Sequence, residues 1–597
     1  MSLLSIPETL RQARRELESV AGYRLEQDWT WFSNLQRWAL QFKLSLVLPA
    51  SSPVPSETHW FVTVSKDYPW GNITVYPSKN GGITETFPHQ SLNEEGPQTL
   101  PYRTGNLCLG IMTQAWQVRN GLSEPYTVSE RLRWHVERTI EWIEKASRTE
   151  LFLPGDPWEV PARETAVDSW HIGIGSVGGT LPKDDADTYG LVELLQPMAN
   201  SRLLFAERFF GMSDPALRWL REAGQVPGFA VGQMDWGHQI SSSPQAVYGV
   251  WIKIATPPTL PHWRLPSTWG ELRAWYQEHE GDSLDTRIVA FLQSIGKLAN
   301  AVSLLLLGYP VPERIGEQPS QIRWESCRLE RVSGLRTSLG TPDVKPLRWD
   351  SVYGSHDLMN HARGQFDVRM RGVSALMIGA GSLGSTLAEL LIRGGLRQLC
   401  IVDGETLMLG NLVRHSLELG DVGHPKAAAL AARLNARALG AKVTCVPKML
   451  DGQTLSELLE SAPDVVIDTT GNDQVLSDLA DWNRPSLFLS LSLGLHARRI
   501  YAFAARGPHF PVDVFHERIQ QWLQRDQEDT KALRQPESEG VGCWSPVFPA
   551  RIDDVYLLGS ATVKWIEETI LNPPAEPRLT VFEQENGNQF MGVRRVD

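Results

Sequence analysis

The chain has 597 residues, 42% apolar and 21% charged, an ordinary soluble globular composition too long for one core. Its 57 basic against 69 acidic residues leave a formal charge of −12, which argues against direct nucleic-acid binding as its main task. No run approaches the roughly 18 consecutive apolar residues of a membrane span, no signal-peptide layout opens the chain, and five cysteines without a C-x-x-C pair point to a reducing cytoplasm and against structural zinc.

In chain order, an amphipathic helix is expected to open near Pro7-Glu8. Apolar or β-rich runs at 44–48, 60–64 and 73–76 predict strands, and Asn80-Gly81-Gly82 and Glu95-Gly96-Pro97 predict turns. Leu132, Val136, Ile140 and Ile143 share one face of a helix predicted over 128–146. The break Leu153-Pro154-Gly155-Asp156-Pro157 closes a first domain, residues 1–150. The middle domain, 151–345, offers a strand at 246–254 and a helix over 286–307. Its stretch from Pro310 to Pro346, rich in Pro, Gly, Ser and Arg, reads as a linker. No hydrophobic strand precedes Gly173-Ile174-Gly175-Ser176-Val177-Gly178-Gly179, so this run is expected to be a glycine-rich turn rather than a phosphate loop.

From 346 to 597 the pattern alternates. Strands are predicted at 373–378, 399–402, 443–446 and 465–467, and helices at 386–392, 427–439 and 454–459. Such alternation gives a parallel sheet with helices on both faces. The expected fold class is multidomain α/β: an N-terminal α+β domain, a middle linker or adaptor domain, and a C-terminal doubly wound, Rossmann-like domain.

The C-terminal domain carries a nucleotide fingerprint. Gly379-x-Gly381-x-x-Gly384 follows a strand and opens a helix. The first glycine permits the tight turn, the second lets backbone approach phosphate, and the third lets helix and strand pack closely. Asp403, at the end of the next strand, suits ribose hydroxyls. Alone, this fits a dinucleotide dehydrogenase as well as an ATP enzyme. Downstream, however, Asn411, Arg414 and Lys426 supply an amide and two cations. Adenylation moves charge between the α-phosphate and a leaving pyrophosphate, which calls for such cations.

These motifs, with Asn411-Leu412-x-Arg414-His415 and Gly423-x-x-Lys426, resemble the adenylation domain of ubiquitin-activating and ThiF/MoeB-like enzymes. The resemblance spans about 350–590 and implies ATP as cofactor, held by Gly379, Gly381, Gly384 and Asp403, with Asn411, Arg414 and Lys426 on its phosphates. It also implies magnesium. Gly471 stands where that family usually has a magnesium-placing Asp, which leaves Asp468 or Asp473 as substitutes. The C-x-x-C zinc motifs that some members carry are missing.

Two cysteines suit the acyl transfer that follows adenylation, since a thiolate attacks the mixed anhydride. Cys543 sits in a loop bounded by Gly and Pro, after the nucleotide motifs, and resembles the activating-enzyme cysteine. Gly105-x-Leu107-Cys108-Leu109, with Trp116 eight residues past the cysteine, resembles the active-site stretch of ubiquitin-conjugating enzymes. Those enzymes carry His-Pro-Asn shortly before the cysteine. Here the corresponding positions read Gln98-Thr99-Leu100, and Pro88-His89-Gln90 is not equivalent by spacing. Cys400 and Cys445, in apolar strands, read as inert core.

Together these resemblances imply a fused conjugating and activating enzyme like those of bacterial anti-phage CBASS operons. ATP would activate a protein C-terminal carboxylate, with thioesters on Cys543 and then Cys108, and final ligation to an amine. The family suggests a donor with a ubiquitin-like or cGAS-like nucleotidyltransferase tail, and a homodimer. Two other readings stay open. One is a MoeB/ThiF-like adenylyltransferase for a sulfur-carrier protein; the other is a nonenzymatic nucleotide-binding scaffold. An NAD-dependent oxidoreductase leaves Arg414, Lys426 and both cysteines without a role.

Overall fold

A computed structural model gives the fold. It describes residues 5–109, 124–164, 168–174, 187–196, 201–214, 217, 232–233, 245–329, 339–354, 365–438, 440–451, 454, 458, 463–530, 550–586 and 590–597. Contacts divide the chain into two units: Met1–Gln196 with Asn200–Gln233 and Ala246–Gly354, and a second made chiefly of Ser355–Asp597.

The first unit opens with the expected helix, Glu8–Leu17, which buries Leu10, Ala13 and Leu17. An antiparallel meander follows: β1 (Tyr23–Phe32), β2 (Arg37–Ser45), β3 (Glu57–Ser65) and β4 (Ile73–Pro77). The expected strand at 44–48 is displaced, because 44–45 are only the end of β2. Trp38, Leu40, Phe42 and Leu44 alternate onto one buried face, and that period of two fixes the register. The helix Glu130–Ser147 packs on the same face, with Trp142 edge-on to Trp60 at 6.3 Å.

A second sheet runs in the order β11-β10-β9-β6-β7-β5-β12. Its strands are β5 (His171–Ile174), β6 (Tyr189–Gln196), β7 (Leu203–Gly211), β9 (Gln245–Lys253), β10 (Val302–Val311), β11 (Gln321–Arg328) and β12 (Ser351–Gly354), with β8 (Gly232–Gln233) on β7. Three expectations are corrected here. The helix predicted over 286–307 ends at Ser294, and Val302–Val311 is a strand between β9 and β11. Its run Leu304-Leu305-Leu306-Leu307 is buried on both faces, so it lacks the alternation that marks a half-buried strand. The expected linker contains β11, paired antiparallel with β10. Gly173 and Ile174 belong to β5, paired with β7 and β12, rather than to a turn. Residues 175–179 lie outside the described residues.

The second unit is the expected doubly wound sheet, extended at one edge. Its order is β15-β14-β13-β16-β17-β18-β19-β20. The strands β13 (Ser374–Ile378), β14 (Gln398–Val402), β15 (Lys442–Val446), β16 (Val465–Asp468) and β17 (Ser486–Leu493) pair in parallel. Three antiparallel strands follow: β18 (Arg499–Gly507), β19 (Arg578–Asn586) and β20 (Phe590–Arg595). Helices Ser382–Gly394, Lys426–Arg437 and Ile552–Leu571 bury leucines such as Leu387, Leu430 and Leu558 in one core. Helices Asp473–Ala480 and Val512–Thr530 bury Leu476, Leu479, Phe515 and Trp522 in another. Met377 and Ile401 face the first core while Leu376 and Val402 face the second.

Candidate functional site

The chain leaves β13 towards β14, while β16 lies on β13's other side. The crevice between the ends of β13 and β16 is therefore a topological switch point, where open α/β sheets bind ligands. Gly379 starts the loop there with φ +98°, a left-handed conformation that side chains disfavour. A Cβ on Gly384 would lie 2.1 Å from Gly379 O, so only glycine allows the helix this close to the strand end. Gly381 caps the helix Ser382–Gly394 without a side-chain bond, and a Cβ on it would meet nothing within 4 Å. The helix's first turn therefore opens onto a cavity lined by Gly381, Ser382 and Leu383, as a phosphate requires.

Asp403 clasps this loop. Its Oδ2 accepts the Ala380 N–H at 2.6 Å and its Oδ1 accepts the Glu405 N–H at 2.7 Å. His415 clasps it from the other side, with Nε2 2.6 Å from Ala380 O. Because His415 Nδ1 accepts the Leu417 N–H at 3.1 Å, Nε2 carries the proton and the ring is neutral. Burial also pushes this imidazole below the usual histidine value. Ser382 Oγ donates to Arg414 O at 2.7 Å, tying the helix start to the arginine segment.

Asn411, Arg414 and Lys426 all line the same cavity, of about 740 Å³, within the range of small-molecule sites. Asn411 Oδ1 accepts the Met408 N–H at 3.0 Å. Lys426 is 5% exposed, and its Nζ lies 2.5 Å from Glu405 Oε2. The cavity continues from this polar half to an apolar one formed by Leu493, Leu495, Phe515, Ile519 and Leu523. The donors and volume fit a nucleoside triphosphate, and the apolar extension leaves room for a second substrate.

The two magnesium candidates differ in placement. Asp468 is 1% exposed, accepts from Thr470 N at 3.0 Å and Thr470 Oγ1 at 2.6 Å, and takes the Ser490 hydroxyl at 2.9 Å. Burial raises its carboxyl above the usual range. Asp473 lines the cavity with its side chain 83% exposed, 3.3 Å from His516 Nε2. Among the described residues, no three His, Cys, Asp or Glu side chains converge as a ready metal site.

In the first unit, Leu107 bridges Gln90, and the Cys108 N–H donates to His89 O at 2.8 Å. Pro88-His89-Gln90 thus runs beside the cysteine despite its sequence distance. Gln90 is buried, accepting the Phe87 N–H at 3.0 Å and donating to Gly105 O at 3.0 Å. A Cβ on Gly105 would meet Asn93 at 2.5 Å, so the glycine before the cysteine is a packing requirement. Burial, then the charge of Glu159, pushes the Cys108 thiol up to about 11. Cys543 and Trp116 lie outside the described residues. Cys327 is fully buried, and Cys400 and Cys445 sit in β14 and β15 with thiols raised by burial.

Glu405 and Glu159 carry no motif of their own, while His415, within the Asn411-to-His415 motif, and His89 and Gln90, within Pro88-His89-Gln90, have no role assigned from the sequence. Only the fold brings them to these loops.

The ThiF match within this fold defines an ATP-using adenylation enzyme. Residues 358–482 match the ThiF family, and residues 150–352 match the Cap2 central linker domain. The chain is 30% identical over 594 residues to the ATP-dependent ubiquitin transferase-like protein Cap2 of Enterobacter hormaechei subsp. hoffmannii (strain UCI 50), covering 95% of each. A protein of the same name from Pseudomonas aeruginosa (strain BWHPSA011 / Pa011) is 24% identical over 254 residues, 40% of this chain and 43% of that one. Among solved structures, E. coli MccB with ATP aligns at 10% identity and TM-score 0.27, covering 38% of this chain and 65% of that one. The chain belongs to the Cap2 family of ATP-dependent ubiquitin transferase-like proteins. It is a ubiquitin-activating and conjugating-like enzyme that uses ATP. Among the described residues, no helix is long and apolar enough to cross a membrane.

Proposed function

We propose that this enzyme runs an acyl relay from the nucleotide cavity to Cys543 and then to Cys108, across modules at 1–150, 151–345 and 346–597. The donor is the C-terminal carboxylate of a ubiquitin-like or cGAS-like nucleotidyltransferase tail. The setting is bacterial anti-phage defence of the CBASS type, in the cytoplasm, with the adenylation domain as a homodimer.

In the first step a carboxylate oxygen attacks the α-phosphorus of ATP, and pyrophosphate leaves. The backbone at Gly379, Gly381 and Gly384 seats the phosphates. Asp403 holds that loop, and it is the carboxylate that would serve the ribose hydroxyls. Arg414 and Lys426 balance the charge that builds on the leaving group, and the Asn411 amide donates to a phosphate oxygen. Asp473, exposed on the cavity, is the carboxylate that would hold magnesium, which would supply Lewis-acid charge neutralisation when bound.

In the second step the Cys543 thiolate attacks the acyl carbon and AMP leaves. In the third, the Cys108 thiolate attacks the thioester and the Cys543 thiolate leaves. Finally an amine attacks, Cys108 leaves as thiolate, and the amine's proton passes to solvent. Joining both thiols in one chain raises their effective concentration.

The single observation that carries this reading is the meeting of Gly381, Asn411, Arg414 and Lys426 around one cavity that also has an apolar extension. Pyrophosphate exchange with a donor protein tests it. Exchange should require an intact donor C-terminus and should persist in Cys543→Ala. Exchange independent of any protein carboxylate would reject it.

A further inference from the structure

Glu159, from the segment after the helix Glu130–Ser147 and inside the stretch that matches the Cap2 central linker, reaches His89, whose carbonyl takes the Cys108 N–H. Its Oε2 lies 2.9 Å from His89 Nδ1, and its carboxylate accepts the His89 N–H at 3.3 Å. On the other side of the ring, His89 Nε2 lies 3.2 Å from Leu151 O. A carboxylate and a carbonyl can only accept, so this setting favours protons on both ring nitrogens, and Glu159 raises the His89 imidazole above its usual value against the desolvation that lowers it. Phe152 packs edge-on against the ring at 5.8 Å. These bonds hold His89 at φ +57°, a left-handed conformation that is strained without glycine.

From that position the His89 carbonyl takes the Cys108 N–H. Among the described residues, Glu159 is the charged group that acts on the Cys108 thiol, while Glu159 and Asp156 act on His89. We propose that Glu159 and His89 are positioning residues for Cys108: the His89 backbone fixes the cysteine's main chain, and its ring, paired with the Glu159 carboxylate, offsets part of the charge that Glu159 presents to the thiol. The linker stretch thereby controls how readily Cys108 reacts. The transfer consequence rests on the relay reading, but thiol reactivity can be measured without it.

The test uses the full chain and site-resolved mass spectrometry of Cys108 alkylation by iodoacetamide between pH 7 and 10. His89→Gln removes that ring and leaves Glu159 unbalanced. Alkylation at pH 8 should slow about threefold or more, since half a pH unit in thiol acidity changes the thiolate fraction about threefold. Adding Glu159→Gln removes the charge as well and should return the rate to within about twofold of wild type.

A purely structural role predicts the opposite, a double variant no faster than His89→Gln. That outcome, or a His89→Gln rate equal to wild type, overturns the proposal. If His89→Gln does not fold, Glu159→Gln alone decides: alkylation no slower than wild type supports the pair, and slower alkylation overturns it. Discharge of an acyl group from Cys108 to an amine should follow the same order. Full transfer by Cys108→Ala would sink the relay and leave the alkylation result standing.

Discussion

Asp403 Oδ2 accepts the Ala380 N–H at 2.6 Å, so the end of β14 clasps the glycine loop that follows β13. Its other oxygen takes the Glu405 N–H. An asparagine can present one carbonyl oxygen but sets an N–H₂ group against the second donor. With the asparagine oxygen kept on Ala380, the donor left over is the exposed Glu405 N–H, which water can take, so Asp403→Asn should lose only about 1 kcal/mol of loop stability, along with most ATP affinity. Calorimetric titration with ATP, together with thermal melting, checks both.

Gly384→Ala should be worse tolerated than its size suggests. The added Cβ meets the backbone oxygen of Gly379 at 2.1 Å, and backbone cannot swing aside as a side chain can. Overpacking of this kind costs roughly 1–3 kcal/mol. Gly381→Ala meets nothing within 4 Å, so the fold should accept it. Melting temperatures should separate the two substitutions, and exchange kinetics should show Gly381→Ala weakened towards ATP.

Lys426→Ala should leave the fold intact, because its partner Glu405 is 65% exposed and can be rehydrated. Pyrophosphate exchange should fall about 10²–10³-fold, as when a preorganised donor to a developing charge is removed. An unchanged rate would place Lys426 outside the chemistry.

His415 gives a pH dependence with a definite sign. Its folded value is lowered from the usual 6.5 by burial, and the neutral ring is required to accept the Leu417 N–H. Its contribution to stability is therefore present above about 6.5 and is lost as pH falls through the lower folded value. Urea midpoints measured from pH 7.5 to 5.5 should fall in wild type and fall less in His415→Gln. Equal slopes would contradict the assignment.

The second unit was legible because strand and helix alternate there with clean turn glycines. Gly379, Asp403 and Lys426 lie at the ends of predicted elements, so there local order nearly gave spatial order, whereas Asn411 and Arg414 lie in the stretch between 403 and 426 with no predicted element and were found by motif alone. The middle stretch resisted for a physical reason. Leu304-Leu305-Leu306-Leu307 is buried on both faces, and a continuous apolar run carries neither the helical nor the strand period. Around Cys108 the obstacle was distance along the chain. Pro88-His89-Gln90 reaches the cysteine through an isolated bridge, Gln90 to Leu107, which a motif spacing does not encode. Glu159 comes from beyond the next helix, where only the folded unit 1 could place it.

The ordered relay is tested most directly by mixing the full chain, ATP and a donor protein with a free C-terminus and separating the products on a nonreducing gel. Wild type should form thiol-sensitive adducts of enzyme and donor. Cys543→Ala should abolish every one, while Cys108→Ala should keep a single adduct and block transfer to the amine. Adducts that survive both substitutions unchanged would contradict the relay.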